Sequence, residues 1–243
     1  MTTHTEEIRI IESAAETSSH EPTLAEDLLL LLFQPDSGTI AGESTLFYVL
    51  GGAVLTDLAL GGHVTTTTTR SGMVTVQVVD GRPPSDDILR SAWGSIGGAP
   101  HGVQSILAMI GPALRQPLLA RLVARDHIRE EHRRIMGLFS STAHVAGSTG
   151  RREALLAGVR AALVDGAVSA PRIAALAALI WGSGSLPRFH RDIPWTTTVI
   201  DRAQTFARSS FGADATAEAV ARTTNAIIAG TVSVAATAAA RHH

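Results

Sequence analysis

The chain has no cysteine and, among its 243 residues, no lysine; all 20 basic residues are arginine. Without thiols there is no disulfide, zinc–thiolate site or cysteine nucleophile. Without amines there is no Walker-type phosphate loop, Schiff base or Ser–Lys dyad. A GC-rich coding sequence, which favours Arg, Ala and Gly, accounts for that preference. Aromatic residues are 4% of the chain, so the core must be built mainly from Leu, Ala, Val and Ile. Apolar runs such as Leu28–Phe33 fall well short of the about 20 residues a spanning helix needs. Residues 1–23 lack the apolar stretch of an export signal. These features read as a cytoplasmic protein that meets a membrane, if at all, from outside.

What is present is a globular composition, 45% hydrophobic and 17% charged, with a net charge of −2 that argues against a nucleic-acid partner. The charge is unevenly placed. Residues 1–60 hold ten acids and only Arg9, whereas residues 113–160 hold nine arginines and four acids. A basic middle on an acidic chain reads either as an anion-facing surface or as the counter-charge to the acidic N-terminal part.

Patterning predicts a mostly α fold: a single helical domain with a core of helices and two β-hairpins, covering 23–240 behind an acidic mobile tail, 1–22. Thr23 and Glu26 form a capping box before Leu24–Phe33. A second helix runs Ser44–Leu60 and stops at Gly61-Gly62. The β-branched runs His63–Thr69 and Met73–Val79 read as a hairpin. Ser85 caps the next helix, to Ile96. Further helices are expected at Val103–Ile110, Ala113–Arg125, Arg151–Val164, Pro171–Trp181, Thr196–Arg208 and Ala215–Thr237, with a second hairpin at Arg133–Val145.

Catalytic constellations are missing. Gly182-Ser183-Gly184-Ser185 lacks the spacing of a nucleophile elbow and follows a helix. The histidines are scattered, His190-Arg191-Asp192 reads as a solvated cluster, and Glu130-Glu131 as a solvated edge. No enzyme, metal site or cofactor is expected. The informative segment is Arg121, Arg125 and Arg129, spaced by four as a stripe down one helix and just past it, with Leu118, Leu119, Leu122 and Val123 on the opposite, buried face. Arg115 lies at the edge of that face, aimed into a groove. Guanidinium forks suit phosphate; a salt bridge to Asp57 or another carboxylate is the competing reading. Downstream, Arg133 and Arg134 flank Ile135, Met136, Leu138 and Phe139. Apolar tip residues beside arginines fit a lipid-facing loop, or a hairpin with one face on the core.

Taken in order, Leu24–Leu32, Gly51–Val64, the Leu122-Val123 helix, Gly137-Leu138-Phe139, Ala161–Gly166 and the Arg172–Ile180 helix resemble the Golgi phosphoprotein 3 family (the GPP34 domain), in an actinobacterial-type form, over about 24 to 230. The resemblance implies a mostly helical single domain. It also implies a peripheral membrane protein that binds phosphatidylinositol 4-phosphate, inserts an apolar hairpin and helps retain glycosyltransferases. The family's headgroup pocket uses a Trp and an Arg near the second helix and two Arg before the hairpin. In this chain those positions fall on Ala41 or Gly42, Leu50, Pro112 and Arg115. Arg115 is thus the retained member, with Arg121 and Arg125 as substitutes, and an acidic tail stands in place of the family's basic N-terminal arm.

Three arginines near an anionic surface supply about 3 kcal/mol, and four half-buried tip residues about 3–5 kcal/mol. Before ordering costs, that corresponds to a reversible, micromolar or weaker peripheral binder. The expectation is therefore a protein on the inner face of the cell membrane that binds an anionic lipid headgroup or other phosphate-bearing ligand. The alternative is a soluble homo-oligomeric scaffold using the second hairpin.

Overall fold

The computed structural model describes residues 21–70, 73–135, 139–208 and 226–229, and the side chains within these ranges except those of 132–141. It is mostly α, as the patterning predicts. In chain order the helices are α1 (Leu24–Leu32), α2 (Leu46–Leu60), α3 (Asp87–Ile96), α4 (Val103–Ile110), α5 (Arg115–Ala124), α6 (Arg151–Arg160), α7 (Pro171–Gly182) and α8 (Thr197–Arg208). The strands are β1 (Phe33–Gln34), β2 (Thr39–Ile40), β3 (Val64–Thr68), β4 (Val74–Val78), β5 (His101–Gly102), β6 (Ile128–Ile135) and β7 (Phe139–Ala146). Most of the expected Ala215–Thr237 helix lies outside the described residues; 226–229 are helical.

The first helix is the axis of the fold. Its capping box forms in full: Thr23 Oγ1 accepts from the Glu26 amide at 3.2 Å, and Glu26 Oε2 accepts from the Thr23 amide at 2.8 Å. All nine residues of α1 are buried. A helix apolar on nearly every side can only be stable when surrounded, and α1 is packed by α2, α5, α6 and α7. Helix α2 follows the same logic. Together with the short 3₁₀ turn Glu43–Thr45 it forms a segment, Glu43–Leu60, long and apolar enough to cross a membrane by length and composition, but two-thirds of it is buried inside the fold. Here it is a core helix, packed on α1, α4 and α7.

The predicted first hairpin pairs β3 with β4 antiparallel, from Val64 opposite Val78 to Thr68 opposite Val74. A third short strand, β5, joins it through His101 opposite Val76. The second hairpin starts earlier than the sequence suggests: β6 begins at Ile128 and β7 ends at Ala146, so Glu130-Glu131 sit within the ladder and do not precede it. The cause is Asp126, the one non-glycine among the described residues with positive φ, at 54°. It reverses the chain directly after α5, and Ile128 enters the core as a fully buried strand residue. At the hairpin base Gly147 donates its amide to the His127 carbonyl at 3.0 Å, and any Cβ there would overlap the Asp126 carbonyl.

Two smaller corrections concern one helix start and one helix end. Asp86, and not Ser85, caps α3, its Oδ1 accepting from the Leu89 amide at 3.0 Å. Helix α6 stops at Arg160 and continues as one π turn, Ala161–Asp165. The turn at Pro35–Gly38 is closed by the two-residue β1–β2 pair. Gly38, at φ +68°, backs onto the His144 carbonyl, where a Cβ would sit 2.7 Å away, so the β1–β2 turn is wedged against β7.

Candidate functional site

The mid-chain arginines divide into two groups that spacing alone does not separate. Arg121 lies in the last turn of α5, where a cation suits the helix dipole. It is buried, not on an exposed stripe, with its side chain 9% exposed. Its Nη1 meets Glu26 Oε2 at 3.4 Å and Asp86 Oδ2 at 2.7 Å, and its Nη2 meets Asp87 Oδ1. Asp86 and Asp87 open α3 and Glu26 opens α1. One guanidinium therefore clamps the N-terminal carboxylates of two helices.

Arg125, the C-cap of α5, reaches the other oxygen of Glu26 at 3.6 Å. The next residue in the stripe, Arg129, lies past the helix, as its spacing reads. It follows the Asp126 reversal into β6 and pairs at the surface with Asp126 at 3.7 Å. Val123 is half-buried, while Leu118, Leu119 and Leu122 are buried as expected.

Sequence spacing also misses the partners of the second acid of α1. Asp27, 1% exposed, takes Arg151 through Nε at 2.6 Å and Nη2 at 3.0 Å. It also takes Arg172 through Nη2 at 2.8 Å. Arg172 continues to Asp57 Oδ1 at 3.5 Å and to the Pro22 carbonyl. Asp57 Oδ2 accepts from the Leu24 amide at 2.6 Å, tying α2 to the first turn of α1. Burial pushes the Asp57 carboxyl up to about 7, against the opposing pull of Arg172. The available signal was Glu26-Asp27 within a leucine run, because charged residues are almost never fully buried unless paired. Asp57 is answered by Arg172, not by Arg115.

Arg115 is placed differently. It opens α5 with its side chain 40% exposed, and Nε meets Glu43 Oε1 at 3.1 Å across an exposed pair. Glu43 starts the 3₁₀ turn before α2, and the Gly111–Ala113 turn, which contains Pro112, packs on the Phe47 backbone. Leu50 is fully buried and Ala41 nearly so. This corner therefore presents one accessible guanidinium with a carboxylate already beside it.

Of the hairpin candidates, Arg133, Arg134 and Ile135 lie on β6 and Phe139 on β7, with Ile135 opposite Phe139. Met136 and Leu138 lie outside the described residues, as do the side chains of the other four. Among the described residues no group of three His, Asp or Glu side chains is placed to hold a metal ion.

No curated protein matches the chain. The family model for Golgi phosphoprotein 3 (GPP34) matches residues 24–225, from the first buried leucine of α1 to beyond α8. The helical core, the Glu26-Asp27 axis and the α5–hairpin junction all lie inside that span, and the chain belongs to the Golgi phosphoprotein 3 (GPP34) family.

Proposed function

We propose that the protein is a peripheral, non-catalytic binder of anionic lipid headgroups on the inner face of the cell membrane, with Arg115 as its principal headgroup contact. The observation that carries this reading is the accessibility of Arg115 beside a displaceable partner. Its side chain is 40% exposed and that of Glu43 58%. An exposed pair of this kind is worth about 0–1 kcal/mol, so a lipid phosphate can take the guanidinium from Glu43 at little cost. Arg121 and Arg125 are spent on Glu26 and contribute to the local field, not to direct contact. The family resemblance implies phosphatidylinositol 4-phosphate, the ligand of its eukaryotic members. With Leu50, Ala41 and Pro112 at the other pocket positions, the reading here is attraction to anionic headgroups with little selectivity among them. The β6–β7 hairpin, whose sequence combines Arg133-Arg134 with an apolar tip, would supply the insertion.

Flotation with vesicles tests this. Wild type is expected to float with phosphatidylcholine vesicles containing phosphatidylglycerol or phosphatidylinositol 4-phosphate, and not with phosphatidylcholine alone. Arg115→Gln should weaken binding about fivefold, from about 1 kcal/mol per arginine at an anionic surface. Glu43→Gln, which releases Arg115, should strengthen it. Equal flotation of wild type and Arg115→Gln, or no flotation of wild type, overturns the reading. A wild type that fails to float but sediments as an oligomer would favour the scaffold alternative.

A further inference from the structure

A second basic site lies away from Arg115. A cleft of about 360 Å³ opens between the turn after β1, the first turn of α6 and the 187–192 segment that follows α7. Arg152, Arg188, His190 and Arg191 line it together with Asp36 and Asp192. Three arginines against two aspartates give the lining an excess of positive charge.

The arrangement around Arg152 is unusual for this molecule. Among the described residues, the other arginines with buried or half-buried side chains are answered by the fold. Arg121, Arg125, Arg151 and Arg172 meet carboxylates, and Arg202 donates to the Leu163 and Val164 carbonyls. Arg152 is half-buried, yet no carboxylate lies within 4 Å of it among the described residues. Its Nε donates to the Phe33 carbonyl at 3.3 Å, and among the described residues neither Nη group has a hydrogen-bond partner. Burial pushes its pKa down from the ordinary value, with Glu153, Asp192 and Asp36 opposing only from a distance. A guanidinium taken partly out of water without a counter-charge is a cost the fold leaves open, and an anion in the cleft would repay it.

The other two arginines can converge on the same guest. Arg188 is exposed and has no ion pair among the described residues. Arg191 is held only by a 3.6 Å pair with Asp36, both side chains at least 80% exposed. The guanidinium fork is matched to the tetrahedral oxygens of phosphate.

We infer that this cleft binds a phosphate-type dianion, with Arg152 as the anchoring contact and Arg188 and Arg191 closing over it. A cleft of this size fits a small ligand or one headgroup, at the low end of ordinary ligand pockets. The guest is either free phosphate or the phosphomonoester of a lipid. The cleft also adjoins the rest of the basic surface through one segment. Residues 33–43 carry the Phe33 carbonyl to Arg152, seat Gly38 against His144 of β7, set Gly42 beside Ser185 and present Glu43 to Arg115.

The site is independent of the Arg115 reading, so its test uses no membrane in the first arm. Thermal unfolding is followed against inorganic phosphate, with sodium chloride at matched ionic strength as the control. Wild type should show a saturable rise in Tm above chloride, about 5 °C or more at 100 times the Kd. Arg152→Gln should abolish the rise. Arg188→Gln, which alters an exposed side chain and leaves the core intact, should weaken phosphate binding about tenfold, and Arg160→Gln, whose exposed pair with Asp165 lies outside the cleft, should leave it unchanged. In the second arm, vesicles of phosphatidylcholine with phosphatidic acid identify the source. Flotation weakened in Arg152→Gln and, in wild type, competed by phosphate to the same level assigns the cleft to a lipid headgroup. A retained Tm effect with unchanged flotation assigns it to a free phosphate compound. No saturable rise in wild type, or the same rise in Arg152→Gln and Arg188→Gln, overturns the inference.

Discussion

Asp27→Ala is expected to lower the unfolding free energy by about 3–5 kcal/mol, the usual cost of breaking a buried ion pair from one side. Asp27 is 1% exposed and takes both Arg151 and Arg172, which come from the starts of α6 and α7. Without it, two guanidinium groups remain half-buried, Arg172 with only the Asp57 carboxylate at 3.5 Å and Arg151 with no carboxylate partner among the described residues. The loss exceeds that of an ordinary surface charge because water reaches only the outer part of each arginine, at 25% and 27% exposure. Urea unfolding followed by far-ultraviolet circular dichroism measures it. A loss below about 1 kcal/mol would place this pair among exposed ion pairs instead.

The second large effect is a pH dependence. Asp57 has its carboxyl raised from the ordinary 3.8 to about 7, chiefly by burial. Its protonated form is therefore the one that suits the folded state. The unfolded chain releases the proton near pH 4 while the folded protein keeps it until about pH 7. Over that interval the folded state binds more protons, and stability from this group falls as pH rises. It is fully present below about pH 4 and gone above about pH 7. The gap between the two values corresponds to about 4 kcal/mol. Asp57→Asn keeps an oxygen for the Leu24 amide and removes the titration. The stability of wild type relative to Asp57→Asn should therefore fall by about that amount between pH 4 and pH 7 and stay level above it. A flat difference curve, or one that rises with pH, contradicts the burial account.

Much of the architecture is legible in the residues because it depends on neighbours along the chain. The Thr23–Glu26 box starts α1 as read, Val103–Ile110 forms as read, and β3 and β4 follow their β-branched runs. The ion pairs are not legible in the same way. Arg151 and Arg172 meet Asp27 across 124 and 145 residues, and nothing in local spacing names that carboxylate. The stripe Arg121, Arg125, Arg129 runs past its helix as read, but its members do not share one surface. A four-residue period is a helical fact only while the helix lasts, and α5 ends at Ala124, one residue before Arg125 caps it. The choice between a basic surface and counter-charges for the acidic N-terminal part therefore resolves residue by residue. Arg121, Arg125 and Arg151 are counter-charges, whereas Arg115 and Arg152 are not committed to the core. Arg152 carried no sequence signal, because its cleft is assembled from three segments far apart in the chain.

The division of these arginines into internal clamps and accessible anion contacts is the claim on which the rest depends. Its most direct measurement is the urea unfolding free energy of Arg121→Gln and Arg115→Gln side by side at pH 7. Arg121→Gln leaves Glu26 and Asp86 short of a partner and should lose about 2–3 kcal/mol, whereas Arg115→Gln should lose less than about 1 kcal/mol. Equal losses, or a larger loss for Arg115→Gln, would contradict the division.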